Sequence, residues 1–206
     1  MFRVLSFVLL FSIIGWSSKE NQDNPSNIVF FGDSITAGYG IPIEQAFTSL
    51  IQEKIKERSL NYRVINAGLS GETSAGGLNR IDWILRSKPS VFFLELGGND
   101  GLRGLSLDET ESNLKAMVGK IRAANEQAII FLCGMQIPPN LGQEYTTKFR
   151  LLYEKVAKET NVKLIPFLLE GVGGDPKLNL SDGIHPNPKG HTIVAETVWK
   201  VLEPVL

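Results

Sequence analysis

The sequence has very little cysteine and histidine, and both scarcities limit the chemistry that the chain can perform. It has 206 residues and a single cysteine, so it cannot form an internal disulfide. That cysteine, Cys133, lies in an apolar run and in no Cys/His spacing typical of zinc sites, which indicates a small buried residue rather than a nucleophile. Only two histidines, His185 and His191, are present. A reaction that needs an imidazole base therefore has two candidates.

The chain also lacks an excess of charge of either sign. Its formal net charge is -1, and its charged residues form no basic run of the kind that binds nucleic acid. The hydrophobic content of 43% is ordinary for a globular protein, and the length suffices for one domain with a full core. We therefore expect a single domain, at residues 27–206, and no nucleic-acid partner.

The most apolar stretch lies at the N-terminus and is too short to span a bilayer comfortably. Arg3 precedes an apolar run at residues 4–14, whereas a membrane-spanning helix needs about 20 apolar residues. A positive residue followed by a short apolar run is typical of a secretory signal peptide. We therefore predict a signal peptide at residues 1–18, a linker at 19–26, and export to the periplasm or the extracellular space. An uncleaved segment that tethers the protein to a membrane is the alternative.

Short apolar runs alternate with amphipathic segments along the rest of the chain. Continuous apolar strands that alternate with helices are typical of a parallel sheet covered by helices on both faces. The sequence thus predicts an α/β fold of three layers (α/β/α), with a five-stranded parallel sheet in the flavodoxin-like order 2-1-3-4-5. Asp108, followed three residues later by Glu111, has the spacing of a capping box for the third helix. The predicted strands are at 27–31, 62–66, 91–96, 127–133 and 162–165, and the predicted helices at 44–58, 74–86, 107–124, 143–160 and 188–202.

The first predicted strand runs into Gly32-Asp33-Ser34, which places a serine at a strand-to-helix turn. A residue at a helix start has a backbone N–H without an intrahelical partner. Ser34 can therefore attack a substrate through its hydroxyl and help to bind the resulting oxyanion through its N–H. The alternative is that Ser34 only caps the helix, which is a common role of serine.

Two further glycine-rich loops follow the second and third predicted strands, at residues 67–73 and 97–101. In the predicted order the first strand lies between these two, and ligands bind outside the carboxyl ends of such strands. Ser34 would then lie between Gly71, which can offer a backbone N–H, and Asn99, which can offer a side-chain amide. Three such donors around one point form an oxyanion hole. The alternative for each loop is ordinary turn chemistry, in which glycine and asparagine are common.

An imidazole base is available near the other end of the chain, between the last predicted strand and the last helix. Asp182 and His185 are three residues apart across a turn, so both side chains can point the same way. A carboxylate beside an imidazole sets its tautomer and stabilises the imidazolium formed during proton transfer. His185 is therefore the candidate base, whereas His191 has no acidic partner in its turn and is interpreted as structural. The G-x-S-x-G motif of α/β-hydrolases is absent around Ser34.

Together these segments resemble the four sequence blocks of the GDSL, or SGNH, hydrolase family. The stretches at 97–104 and 182–187 are especially similar to the bacterial arylesterase, acyl-CoA thioesterase I and lysophospholipase subgroup. Ile35 stands where the family usually has leucine, which is a conservative difference. The matching blocks are Gly32-Asp33-Ser34-Ile35, Gly71, Gly97-Gly98-Asn99-Asp100 and Asp182-Gly183-Ile184-His185.

Carried over position by position, the resemblance implies a role for each residue of the candidate site. Ser34 would be the nucleophile, His185 the base and Asp182 its orienting partner. The oxyanion hole would be formed by the N–H groups of Ser34 and Gly71 and the amide of Asn99. The reaction implied is hydrolysis of carboxylic esters or thioesters through an acyl-enzyme, with no metal and no cofactor.

The loop after the fourth predicted strand, which contains Ile137 and Pro138, is apolar and stiff. The subgroup resemblance implies that it lines a groove for an acyl chain, with the small residues at 73–78 as a mobile lip over that groove. The alternative is that both segments are ordinary connecting loops. We expect a small-molecule or lipid acyl ester as the substrate: a medium-chain ester, a thioester or a lysophospholipid.

Two rival functions are compatible with parts of this pattern. A carbohydrate O-acetylesterase is similar in the same sequence blocks. From a different class, the glycine-rich loops of a flavodoxin-like sheet can bind a phosphate or a flavin without catalysis. Such a binding protein, however, has no use for the Asp-x-x-His pair.

The third predicted strand carries a carboxyl group where burial is expected. Glu95 falls within its apolar run, an unpaired buried charge is costly, and the sequence indicates no partner for it. Asp33 and Asp100 lie beside the candidate residues Ser34 and Asn99. We interpret both as residues that brace their loops through backbone hydrogen bonds.

Overall fold

The computed structural model describes residues 24–206, which form a sheet of five parallel strands covered by helices. The strands lie in the order β2-β1-β3-β4-β5, and every pair of neighbours is parallel. The predicted fold class and strand order are therefore confirmed. The strands are β1 (Ser26–Gly32), β2 (Tyr62–Gly68), β3 (Val91–Glu95), β4 (Ile129–Cys133) and β5 (Lys163–Ile165).

Seven α-helices lie within the described residues, and the five longer ones correspond to the predicted helices. The short α1, which follows β1 almost directly, is the helix start expected at Ser34, whereas the short α4 after β3 has no counterpart in the sequence pattern. None of these seven helices is both long enough and apolar enough to cross a membrane. The helices are α1 (Ser34–Ala37), α2 (Phe47–Glu57), α3 (Ser74–Leu85), α4 (Gly98–Leu102), α5 (Leu107–Ala124), α6 (Gln143–Thr160) and α7 (Pro188–Leu202), with 3-10 turns at Ile43–Gln45, Pro139–Leu141 and Glu203–Val205.

A row of stacked phenylalanine rings joins the three central strands. Phe30 of β1 stacks on Phe93 of β3 with ring centroids 4.5 Å apart, and Phe93 stacks on Phe131 of β4 at 4.6 Å. All three rings are buried, so the row adds aromatic stacking to the hydrophobic burial of the sheet. This row fixes the positions of β1, β3 and β4 relative to one another. It therefore also positions the loops that follow the carboxyl ends of these strands.

The predicted signal peptide at residues 1–18 and most of the predicted linker lie outside the described residues. β1 begins at Ser26, one residue before the predicted start of the domain. The division of the chain into signal peptide, linker and a single domain at 27–206 stays a prediction.

The prediction that Asp108 caps α5 is wrong. The side chain that caps this helix belongs to Ser106, which accepts a hydrogen bond from the N–H of Glu109 at 3.3 Å, so Asp108 lies inside the first turn. Residues 74–78 belong to α3, in agreement with the helix predicted at 74–86, and Thr73 caps this helix. The alternative that this segment is a connecting loop is therefore wrong, and its role as a mobile lip stays a prediction.

Candidate active site

Ser34 is the first residue of α1, immediately after the turn that ends β1. The cap of this helix is Asp33, whose Oδ1 accepts a hydrogen bond from the N–H of Ile35 at 3.0 Å. The alternative that Ser34 serves only as the cap is therefore wrong. Within residues 24–206 the Ser34 N–H donates no hydrogen bond. The N–H of the residue that carries the hydroxyl is thus outside the hydrogen bonds of the helix.

The structure brings Ser34, His185 and Asp182 into one hydrogen-bonded series across 151 positions of sequence. Nε2 of His185 lies 2.8 Å from Oγ of Ser34, and Nδ1 lies 2.8 Å from Oδ2 of Asp182. When Nδ1 carries the proton and donates to Asp182, Nε2 can accept the proton of the serine hydroxyl. This is the arrangement in which an imidazole acts as a general base towards a serine.

Backbone N–H groups of the turn at 182–185 hold the carboxylate of Asp182. Oδ1 of Asp182 accepts hydrogen bonds from the N–H groups of Ile184 and His185, each at 3.0 Å. Burial alone would raise the pKa of Asp182, but these N–H groups and the imidazole outweigh it and lower the pKa to about 2. Asp182 is therefore ionised at every pH at which a neutral imidazole can act as a base.

Asn99, in α4 after β3, and Gly71, in the loop after β2, line the same cavity as Ser34. The Asn99 amide donates to Oδ2 of Asp33 at 3.0 Å, which orients the amide. The Gly71 N–H donates no hydrogen bond to the described part of the chain, and Gly71 has a φ of +79° that favours glycine. The three predicted oxyanion donors therefore lie around one space. Their catalytic role stays a prediction.

Arg103 contacts both Gly71 and Asn99, and it was not identified from the sequence. Its guanidinium donates to the carbonyl oxygen of Gly71 at 2.9 Å and lies 3.5 Å from Oδ1 of Asn99. The signal in the sequence is its position four residues after Asn99, a spacing at which two side chains on a helix can meet. Arg103 therefore links the loop that contains Gly71 to α4, which contains Asn99.

The cavity beside Ser34 has a volume of about 510 Å³ and a largely apolar wall. Ile137 and Pro138, from the loop after β4, line it, and their role in binding an acyl chain stays a prediction. A second part of the wall, which includes Phe167 and Leu169, comes from the long segment between β5 and α7. This part of the wall is not evident from the sequence, because apolar residues in an irregular segment have no periodicity to mark them.

Tyr39 is a further missed residue, and it contacts the candidate base. It lies just after α1, is 51% exposed, and has its ring centroid 4.6 Å from that of His185 at an interplanar angle of 41°. An aromatic face at this distance can stabilise a cation. Tyr39 therefore covers one side of the imidazole at the mouth of the cavity.

Two buried acids lie directly behind Ser34. Oε2 of Glu95 accepts hydrogen bonds from the N–H of Asp33 at 3.1 Å and from Oγ1 of Thr36 at 2.8 Å, which supplies the partners that the sequence did not indicate. Burial, followed by the nearby charge of Asp33, raises the pKa of Glu95 well above its ordinary value. Burial likewise raises the pKa of Asp33 to about 6, although the Ile35 N–H, His185 and the Asn99 amide oppose the shift.

Asp100 and His191 have structural surroundings. Asp100 is buried and accepts hydrogen bonds from the N–H and hydroxyl of Ser74 and from Oγ1 of Thr110, so it ties α4 to α3 and α5. His191 is buried, and its Nδ1 accepts the N–H of Phe47 at 3.1 Å. Burial, aided by the charge of His185, lowers the pKa of His191 to about 4. His191 therefore joins α7 to the start of α2.

Comparison with known proteins identifies a family and relatives for this chain. A model of the GDSL-like lipase/acylhydrolase family matches residues 30–193. Esterase TesA of Pseudomonas aeruginosa is 42% identical over 186 residues, which cover 90% of this chain and 92% of that protein. Thioesterase 1/protease 1/lysophospholipase L1 of Escherichia coli is 36% identical over 180 residues, which cover 87% and 84% of the two chains.

A solved structure agrees with both the sequence relatives and the fold. The psychrotrophic esterase EstA from Pseudoalteromonas sp., in a crystal structure inhibited by monoethylphosphonate, superposes with a TM-score of 0.82. The two proteins are 34% identical, and the match covers 88% of this chain and 98% of that one. A structure named as an esterase therefore has the same fold as this chain.

Proposed function

We propose, from the premise that this chain belongs to the GDSL-like lipase/acylhydrolase family and is a carboxylic ester hydrolase, that it acts through a Ser34-His185-Asp182 triad and an acyl-enzyme. The observation that carries the proposal is the pair of 2.8 Å contacts that link the serine hydroxyl, the imidazole and the carboxylate. This geometry lets a single proton move from nucleophile to base without rearrangement.

In the first half of the reaction the enzyme is acylated. His185 takes the proton of Ser34 as Oγ attacks the carbonyl carbon, and Asp182 stabilises the imidazolium. The oxyanion that forms is held by the N–H groups of Ser34 and Gly71 and by the Asn99 amide. His185 then gives its proton to the leaving alkoxide or thiolate, which departs and leaves the acyl group on Ser34.

In the second half water replaces the leaving group. His185 removes a proton from the water as it attacks the acyl-enzyme, and the same three donors hold the second oxyanion. When the tetrahedral intermediate collapses, the proton returns from His185 to Oγ of Ser34 and the carboxylic acid is released. The two halves thus use one base and one oxyanion hole twice.

The substrate we propose is a medium-chain acyl ester, a thioester or a lysophospholipid. The apolar wall formed by Ile137, Pro138, Phe167 and Leu169 suits an alkyl chain rather than a sugar. The names of the relatives, an esterase and a thioesterase/lysophospholipase, support the same range of esters. We also propose export through the signal peptide predicted at residues 1–18.

The test of the nucleophile is covalent labelling with a fluorophosphonate probe, followed by peptide mapping. The similar esterase EstA is inhibited by monoethylphosphonate, which supports the choice of a phosphonate probe. The label is expected on Ser34 and is expected to disappear in Ser34→Ala. Ser70, a second serine that lines the cavity, provides a matched control, because Ser70→Ala should keep the label. A label that persists in Ser34→Ala contradicts the proposed nucleophile.

A second assay separates the acyl-chain proposal from an O-acetylesterase. Hydrolysis rates are compared for p-nitrophenyl acetate and p-nitrophenyl octanoate. We expect a higher kcat/KM for octanoate, because the longer chain buries more apolar surface against the cavity wall. A strong preference for acetate would contradict the proposed acyl-chain site while leaving the triad intact.

A further inference from the structure

Glu95 is a fully buried acid that the catalytic steps do not use. It is 1% exposed at the end of β3, and its Oε2 accepts both the Asp33 N–H and the Thr36 hydroxyl. These two donors flank Ser34 in sequence. A Cβ atom on Gly32 would collide with this carboxyl and with Oγ1 of Thr36, so the glycine leaves room for the acid. The carboxyl is therefore built into the turn that presents the nucleophile.

The surroundings of Glu95 favour its uncharged form. Within the described residues no lysine or arginine pairs with it, and its Oε1 has no hydrogen-bond partner. An unpaired buried carboxylate would carry the full cost of lost hydration. The titratable groups around it are Asp33, Cys133 and Tyr153, none of which is a cation at neutral pH. Arg80, the nearby cation, pairs with Glu72 instead.

A chain of contacts leads from Glu95 to the oxyanion hole. Glu95 holds the backbone N–H of Asp33, and the carboxylate of Asp33 holds both the Ile35 N–H and the Asn99 amide. An uncharged Glu95 does not repel the charge of Asp33, whereas an ionised one would. Charge on Asp33 in turn strengthens its hydrogen bond with the Asn99 amide.

We propose that Glu95 is a positioning residue that acts as an uncharged acid, holding the Asp33–Thr36 turn and, through Asp33, the Asn99 amide. The proposal rests on the proposed catalytic role of Ser34 for its effect on turnover. Glu95 does not touch the reacting atoms. Its effect is on where the nucleophile and two of the three oxyanion donors point.

The first test compares two substitutions in p-nitrophenyl ester hydrolysis. Glu95→Gln keeps an acceptor oxygen for both donors and stays uncharged, so we expect kcat within about threefold of wild type. Glu95→Leu keeps the approximate size but accepts nothing, so we expect kcat to fall roughly 10- to 100-fold, with KM changed less than about threefold. Wild-type kcat in Glu95→Leu, or a loss in Glu95→Gln as large as in Glu95→Leu, would overturn the positioning role.

The second test measures melting temperature against pH and does not depend on catalysis or on the folding of Glu95→Leu. Because the pKa of Glu95 is raised on folding, the folded protein retains a proton that the unfolded chain releases above about pH 4.5. Wild-type stability from this group is therefore complete below pH 4.5 and is lost as the pH rises. Glu95→Gln has no such loss, so its Tm relative to wild type should rise by on the order of 3 °C or more between pH 4.5 and pH 8.

Glu72→Gln is the matched control, because it also removes a buried carboxyl. Glu72 is ion-paired with Arg80, so Glu72→Gln is expected to lower Tm at pH 8, the opposite direction from Glu95→Gln. A Tm difference for Glu95→Gln that is flat or falls with pH would show that Glu95 is ionised in the folded protein, and the proposal would be wrong. Failure of fluorophosphonate labelling would refute the role of Ser34 but leave this stability result unaffected.

Discussion

The two halves of the candidate active site are built in opposite ways, although one hydrogen bond joins them. The nucleophile half rests on the core: Ser34 is 8% exposed, and the acids behind it, Asp33 and Glu95, are 3% and 1% exposed. The base half lies on an irregular surface segment between β5 and α7, where the Asp182 side chain is 37% exposed. One half is held by buried side chains from several elements, and the other by the backbone of its own turn.

This difference teaches how each half obtains its electrostatics. In the core, loss of water raises the pKa of Asp33 and Glu95 and makes their hydrogen bonds strong and directional. On the surface, N–H groups lower the pKa of Asp182 and keep it charged. The buried half therefore supplies accurate geometry, and the exposed half supplies a stable charge for the imidazolium. Four substitutions test this division.

The largest expected effect comes from removing the base. His185→Ala should lower kcat/KM for a p-nitrophenyl ester by roughly 10⁴-fold or more, because only binding and the oxyanion donors remain. Its Tm should stay close to wild type, because the exposed turn contributes little to the core. The measurements are steady-state kinetics and a thermal melt. A large drop in Tm would show that the base half also stabilises the core, which would contradict the contrast between the two halves.

The next effect lies on the buried side. Asn99→Ala should lower kcat by roughly 10²- to 10³-fold, the usual result of losing one oxyanion donor. It should also lower Tm, unlike His185→Ala, because Oδ2 of Asp33 loses the Asn99 amide as its hydrogen-bond donor. Kinetics and melting of both variants under one set of conditions give the comparison. A wild-type kcat in Asn99→Ala would remove this residue from the oxyanion hole.

A smaller effect is expected at Tyr39, on the exposed side. Loss of the aromatic face in Tyr39→Leu should destabilise the imidazolium that forms on His185 during the reaction, and so reduce kcat for a p-nitrophenyl ester about 2- to 5-fold. Tyr39→Phe keeps the ring and serves as the control. The measurement is steady-state kinetics at pH 8, and equal kcat values for the two variants would show that Tyr39 only lines the cavity.

The smallest effect on catalysis is expected at His191, which shares the C-terminal region but belongs to the core. Its pKa is lowered to about 4 by burial, so the unfolded chain takes up a proton below about pH 6.5 that the folded protein resists. The stability it contributes is present above pH 6.5 and is lost as the pH falls towards 4. The Tm advantage of wild type over His191→Gln should therefore shrink across that range, with kcat near wild type at pH 8. A constant difference would contradict the effect of burial.

Much of the candidate site could be predicted because its residues follow strands. Ser34, Gly71 and Asn99 come just after β1, β2 and β3, and parallel strands bring their carboxyl ends to one edge. The Asp182–His185 pair could be found as well, because both residues belong to one turn. Their functional roles stay predictions until the labelling and kinetic experiments above are done.

The residues that were missed share a different origin. Arg103, which follows α4, reaches Gly71 in a different part of the chain. The ring of Tyr39 contacts that of His185 although 146 positions separate the two residues. Phe167 and Leu169 belong to a segment with no helix or strand. None of these contacts is expressed in the periodicity or spacing of the chain, because each depends on how separate loops pack against one another.

The alternation of strands and helices follows from the amino-acid sequence alone, and so does the edge of the sheet where small polar residues gather. Apolar periodicity and glycine-rich loops are local properties, so they can be read from neighbouring residues. The 2.8 Å approach of His185 to Ser34, the apolar wall after β5 and the surroundings of Glu95 become visible only in the folded protein. Those features depend on distance and burial between remote segments, which exist only once the chain has packed.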